Sequence, residues 1–130
     1  MARPPSRHPT ELELEILKIL WQHGPATVRQ VREHLASVRQ LAYTSVMTIM
    51  NIMVKKGHLQ RDKRGASYVY YHRTSQQATV RRILGDLTDR LFSGSAASLM
   101  LNLLETAEID PNELEKLREL INRKTKEQSP

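Results

Sequence analysis

The chain has 130 residues, 39% hydrophobic and 26% charged, enough for one modest core and an accessory element. It contains no cysteine, which excludes disulfides, thiolate catalysis and cysteine-based zinc sites. The formal charge of +6 is segregated: residues 1–75 carry 12 Lys+Arg against 5 Asp+Glu (+7), and residues 76–130 carry 8 against 9 (−1), so the front of the chain is expected to meet a polyanion.

Residues 1–9, MARPPSRHP, read as a flexible basic arm with no apolar run of the secretory kind. Thr10-Glu11-Leu12-Glu13 has the form of a capping box and opens a first helix, which Gly24-Pro25 stops near His23. Leu12, Ile16, Ile19 and Leu20 form one stripe on it, and Leu14, Leu17 and Trp21 a second. That width implies burial on two sides, against the local core and against another element or subunit. Thr27-x-x-Gln30 caps a second helix to about Ser37, with Val28, Val31 and Leu35 inward and Arg29 outward.

A third helix follows in YTSVMTIMNIMVKK, ending where Gly57 can take the left-handed C′ conformation. Val46, Ile49, Met50 and Met53 recur at the spacing of a face packed on a core. Thr44, Thr48, Asn51 and Lys55 lie opposite. Small hydroxyls, an amide and an ammonium suit the edges and phosphates of duplex DNA, with Asn51 able to pair bidentately with adenine. Two β-prone arms then flank Lys63-Arg64-Gly65, the pattern of a hairpin with a cationic tip. Helix, helix, helix and hairpin with short links is the order of a winged helix-turn-helix over residues 10–74. The expected fold is mainly α with this one small β-hairpin.

Residues 75–130 read as a separate helical region. Ile83, Leu84, Leu87 and Leu91 share a stripe, LMLNLLE carries Leu99 and Leu103, and a last helix capped by Asp110-Pro111 carries Leu114, Leu117 and Ile121. Three short helices cannot bury these stripes alone. They either fold back on residues 10–74 or pair with a second copy, and pairing is the expectation.

The run ATVRQVREHLA, followed by LAYTSVMTIMNIMVKKGHL and DKRGASYVYY, resembles the penicillinase-repressor family of BlaI, MecI and CopY type. SLMLNLLE and DPNELEKLRELI are similar to that family's dimerisation region, so the resemblance covers about residues 10–123. It implies a homodimeric winged-helix repressor on a dyad-symmetric operator of double-stranded DNA. The site residues are then Arg29, Tyr43, Thr44, Ser45, Met47, Thr48, Asn51, Lys55, Lys63 and Arg64. In the beta-lactam branch a membrane sensor protease relieves repression by cutting between an asparagine and the next apolar residue, which maps to Asn102-Leu103. Three departures matter. The copper-responsive branch has a Cys-x-Cys hook that is absent here, Met47 stands where some relatives have a basic residue, and Leu103 where an aromatic occurs.

No nucleophile–base motif, glycine-rich phosphate loop or paired carboxylate cluster suggests an enzyme. The five histidines show no i, i+4 pair, so neither a metal nor another cofactor is expected. No apolar run approaches the ~20 residues of a membrane span, and a cytoplasmic location is expected. The competing class is a winged-helix module that docks on protein. It requires an apolar patch on the third helix, where the sequence reads as polar.

Overall fold

The structure, a computed structural model, describes residues 8–129; the basic arm lies, apart from His8 and Pro9, outside them. Helix α1 (Glu11–His23) starts where the capping box predicts. Thr10 Oγ1 accepts the Glu13 N–H at 3.2 Å and Glu13 Oε1 accepts the Thr10 N–H at 2.8 Å. Thr27 and Gln30 repeat this reciprocal pair at the start of α2 (Val28–Leu35). Helix α3 (Tyr43–Lys56) has no side-chain cap at Ala42 and ends at Gly57, whose φ of 85° is left-handed.

Strands β1 (Leu59–Arg64) and β2 (Ser67–His72) form an antiparallel hairpin with Leu59 opposite His72 and Arg64 opposite Ser67. The turn is therefore Gly65-Ala66, one step later than expected. Lys63 and Arg64 belong to β1, where they pair with Tyr68 and Ser67. The hairpin is tied to the helices by an isolated bridge: the Ala26 and Tyr70 backbones exchange hydrogen bonds of 3.1 and 2.8 Å. The β-prone link before α2 thus extends the hairpin by one residue pair.

One core joins these elements. Ile16, Leu17 and Leu20 of α1, Val31 and Leu35 of α2, Val46, Met50 and Met53 of α3, and Leu59 and Tyr70 of the hairpin are all buried. The second stripe of α1 is used inside the same unit: Leu17 enters the core, and Trp21 Nε1 donates to the Thr74 carbonyl at 2.9 Å. Trp21 thus anchors the exit of the hairpin.

A buried charge pair sits at the base of α1. Lys56 Nζ lies 2.7 Å from Glu13 Oε1, with side-chain exposures of 13% and 4%. Burial pushes the Glu13 carboxyl up, but hydrogen bonds from Lys56 and Thr10 and the Lys56 charge outweigh it, leaving its pKa below the ordinary value. Neighbouring His58 is also buried, and its Nε2 has no hydrogen-bond partner among the described residues. Its pKa is lowered, first by burial and then by Lys56, Arg82 and His8, against the opposing pull of Glu13. Stability is therefore expected to fall in two stages on acidification. Above the ordinary imidazole value, His58 is neutral whether folded or unfolded. Below it the unfolded chain takes the proton first, which favours unfolding. The second loss comes below the ordinary carboxylate value, as Glu13 is protonated. Denaturant melts of the parent and His58→Leu across about pH 4–8 test the first stage: the variant should lack it, and an identical profile would rule His58 out.

Beyond the hairpin lie α4 (Gln76–Leu91), α5 (Ala96–Thr106) and α6 (Pro111–Gln128). Asp110 Oδ1 caps α6 by accepting the Asn112 N–H at 2.8 Å, with Pro111 in the first turn. The chain divides into two compact units between Leu84 and Gly85, within α4, whereas the sequence places the boundary before that helix, at 74/75. In the second unit α5 and α6 have no buried residue. Leu103, Leu114, Leu117 and Ile121 are exposed, as are Leu84 and Leu91, while Ile83, Leu87 and Leu99 are half-buried. Met100, Leu103, Leu104, Leu117, Leu120 and Ile121 line an apolar trough of about 450 Å³ along α5 and α6. Asn102 is exposed midway along α5, its Nδ2 donating to the Ser98 carbonyl at 3.0 Å, so the Asn102-Leu103 peptide lies within a helix.

Candidate nucleic-acid interface

Because Val46, Met50 and Met53 hold α3 on the core, its other side is presented outward. Tyr43, Thr44, Ser45, Met47, Thr48 and Lys55 are exposed there. Thr48 Oγ1 donates to the Thr44 carbonyl at 2.8 Å. Its proton is thereby used, so the hydroxyl oxygen acts as an acceptor and the methyl remains available for apolar contact. Lys55 is exposed in the last turn. Lys56, beside it, is held by Glu13 and is not a free cation.

Asn51 is engaged within the protein. It is half-buried, and its Oδ1 accepts from Tyr70 Oη and from Arg61 Nη1, each at 2.8 Å. A bidentate pair with adenine needs that oxygen as acceptor, so at least one of these bonds would have to break first. The hairpin covers this part of the α3 surface. A signal for it lay in β2: a buried tyrosine hydroxyl needs a partner, and Asn51 is the partner it finds.

The face is also less polar than the sequence suggests. Ile52 is 45% exposed and Met47 36%, with Thr48 between them around the helix surface.

The hairpin adds cations beside α3. The Arg61 guanidinium carbon sits 4.4 Å from the Tyr68 ring centre, a cation–π contact. Arg64 Nη2 donates to Tyr71 Oη at 3.1 Å. Lys63 and Arg64 are exposed next to the turn. Arg29, in the first turn of α2, shares with Tyr43, Met47 and Tyr68 the wall of an open depression of about 570 Å³ between α2, α3 and the hairpin. The structure therefore places Arg29 beside Tyr43 and Met47 of α3, and Arg61 against Asn51 of the same helix, whereas Arg64, bonded to Tyr71, lies on the other face of the hairpin.

Three helices on one core, the third turned outward beside a basic antiparallel hairpin, define a winged helix-turn-helix protein. The sequence profile of the penicillinase repressor family matches residues 9–123. The chain belongs to the penicillinase repressor family. It is 24% identical over 112 residues to the penicillinase repressor of Bacillus licheniformis, covering 86% of this chain and 88% of that protein. With the transcriptional regulator BlaI of Mycobacterium tuberculosis it shares 34% over 104 residues, covering 77% and 74%. The solution structure of the DNA-binding domain of the repressor BlaI superposes with a TM-score of 0.50 at 24% identity, covering 60% of this chain and 93% of that one. That likeness establishes the fold.

Proposed function

We infer that the chain is a sequence-specific repressor that binds a dyad-symmetric operator in double-stranded DNA as a homodimer. Helix α3 enters the major groove and the wing, residues 61–68, lies along the backbone. The observation that carries this is the exposed face of α3 with Thr44, Ser45, Thr48 and Lys55, beside a hairpin whose Arg61 is hydrogen-bonded to Asn51 of that helix and shares its strand face with Lys63, with family membership in its support. A helix in the major groove needs one face packed on its own domain and the other offering short polar, methyl and cationic groups. Met47 and Ile52 are the features that favour a protein-docking module instead. Thr48 separates them, and Thr44, Ser45 and Lys55 surround them, so they do not make the contiguous patch that such a partner needs.

The second copy would cover the leucine faces of α5 and α6, in line with the exposure of Leu103, Leu114, Leu117 and Ile121. No catalytic step belongs to this reading, and it places the chain in the cytoplasm with its operator. Release by a membrane sensor protease at Asn102-Leu103 would require α5 to open locally, because a protease takes extended chain. A chain ending at Asn102 that holds its operator as tightly as the parent contradicts that route.

Selection from a random-sequence duplex pool tests the function. Enrichment of two inverted half-sites is expected; no enrichment would exclude sequence-specific reading. Within that assay Thr48→Ala and Arg64→Ala should differ. Thr48→Ala should weaken the selected duplex by about 1–3 kcal/mol more than random DNA. Arg64→Ala should weaken both alike and flatten the salt dependence. Equal loss of specificity from both changes would contradict the assignment of helix to bases and wing to backbone.

A further inference from the structure

Asn51 is where the helix and the hairpin meet. Its Oδ1 takes two hydrogen bonds of 2.8 Å, one from a tyrosine of β2 and one from an arginine of β1. Tyr70 is 1% exposed, so its hydroxyl has little water to turn to, and its backbone is fixed by the bridge to Ala26. Arg61 lies directly across the ladder from Tyr70, and its guanidinium is also stacked over Tyr68, two residues along the same strand. The arginine is thus held from two directions, by the amide of α3 and by the ring of β2. Those contacts engage Nη1 and bring the guanidinium carbon over the Tyr68 ring. Arg61 is nonetheless exposed, and the rest of its fork of N–H donors stays available on the strand face it shares with exposed Lys63.

We propose that Asn51 is a positioning residue that fixes the Arg61 guanidinium against the reading helix, so that Arg61 grips a phosphate of the same DNA segment that α3 reads. Both Asn51 and Arg61 then act in binding, but only Arg61 touches the ligand. An unheld arginine on a hairpin would sample many rotamers and lose that freedom on binding. The Asn51 and Tyr68 contacts remove it beforehand. Arg61 is a phosphate ligand on this view because guanidinium is weakly hydrated and matches the geometry of phosphate oxygens. Asn51 does not read adenine, since its acceptor is already occupied within the protein.

The proposal rests on duplex DNA being the ligand of this surface. Its test uses the full chain and a fluorescein-labelled duplex selected by the parent chain from a random pool. Anisotropy titrations over a salt series give the slope of log K against log[salt] for the parent, Asn51→Ala, Arg61→Ala and the double variant. Thermal melts establish folding. Should Asn51→Ala fail to fold, Asn51→Ser, whose hydroxyl can still partner Tyr70, replaces it. Each phosphate contact contributes about −0.9 to the slope. The expected result is that Asn51→Ala, although it removes no charge, flattens the slope by about the same 0.9 per subunit as Arg61→Ala, with no further change in the double variant. A merely structural asparagine would lower affinity without moving the slope, and a base-reading one would lose a single adenine preference without moving it. A parental slope in Asn51→Ala therefore overturns the positioning role, and so do additive losses in the double variant. If instead the parent itself shows no slope, it is the DNA reading that fails.

Discussion

Leu103→Asp combined with Leu117→Asp is expected to leave the chain monomeric in sedimentation and to weaken its hold on the selected duplex by about 10²–10⁴-fold. Both leucines are exposed in the single chain, at 50% and 39%, and both line the α5–α6 trough. In a monomer, aspartates there remain hydrated and cost little. In a dry seam between two copies they would be buried without partners, a penalty large enough to abolish pairing. Without pairing, the second half-site is no longer met at high effective concentration, and affinity falls although no DNA contact has changed. The core from Ile16 to Tyr70 should melt as in the parent, because it draws no residue from α5 or α6. A variant that remains dimeric at micromolar concentration would place the seam elsewhere.

Glu13→Ala should destabilise the N-terminal unit by about 3–5 kcal/mol, the range for removing one partner of a buried pair. Glu13 Oε1 answers both the Lys56 ammonium and the Thr10 N–H, so one substitution leaves a mostly buried cation unpaired and opens the helix cap. Against a total stability of about 5–15 kcal/mol that is a large fraction. Glu15→Ala provides the contrast. Its partner Lys18 is 60% exposed at 3.2 Å, and such surface pairs contribute about 0–1 kcal/mol. Denaturant midpoints at neutral pH measure both. Equal small losses would mean that Lys56 turns to solvent and that the pair is not what joins α3 to α1.

Much of this molecule was legible because its signals are local. Thr10, Thr27 and Asp110 each announce a helix start through a side chain that reaches the next turn, and Gly57 announces a helix end. All four act where those spacings place them. The core face of α3 was equally plain, since Val46, Met50 and Met53 repeat at the helical period. What was not legible depends on residues far apart in the chain. The sequence puts Asn51 on the outer face of α3, which the helix period supports. Only the hairpin, folding back ten and nineteen residues later, supplies Arg61 and Tyr70 to occupy its oxygen. Lys56 reads as one more cation in a basic segment, yet it is consumed by a carboxylate 43 residues away. The hairpin turn slipped by one step because Lys63-Arg64-Gly65 and Gly65-Ala66 both contain the glycine that a positive φ requires, and cross-strand pairing decides between them. Ile52 and Met47 show the limit of reading helix faces by residue type: both are apolar and both are exposed.

The measurement that bears most directly on the DNA-reading surface is an amide NMR titration of the full chain with the selected duplex. Shifts concentrated in α3 from Tyr43 to Lys55 and in the wing from Arg61 to Tyr68 are expected, with the buried face of α1 unmoved. Shifts confined to α5 and α6, with α3 and the wing silent, would contradict the reading of duplex DNA by this surface.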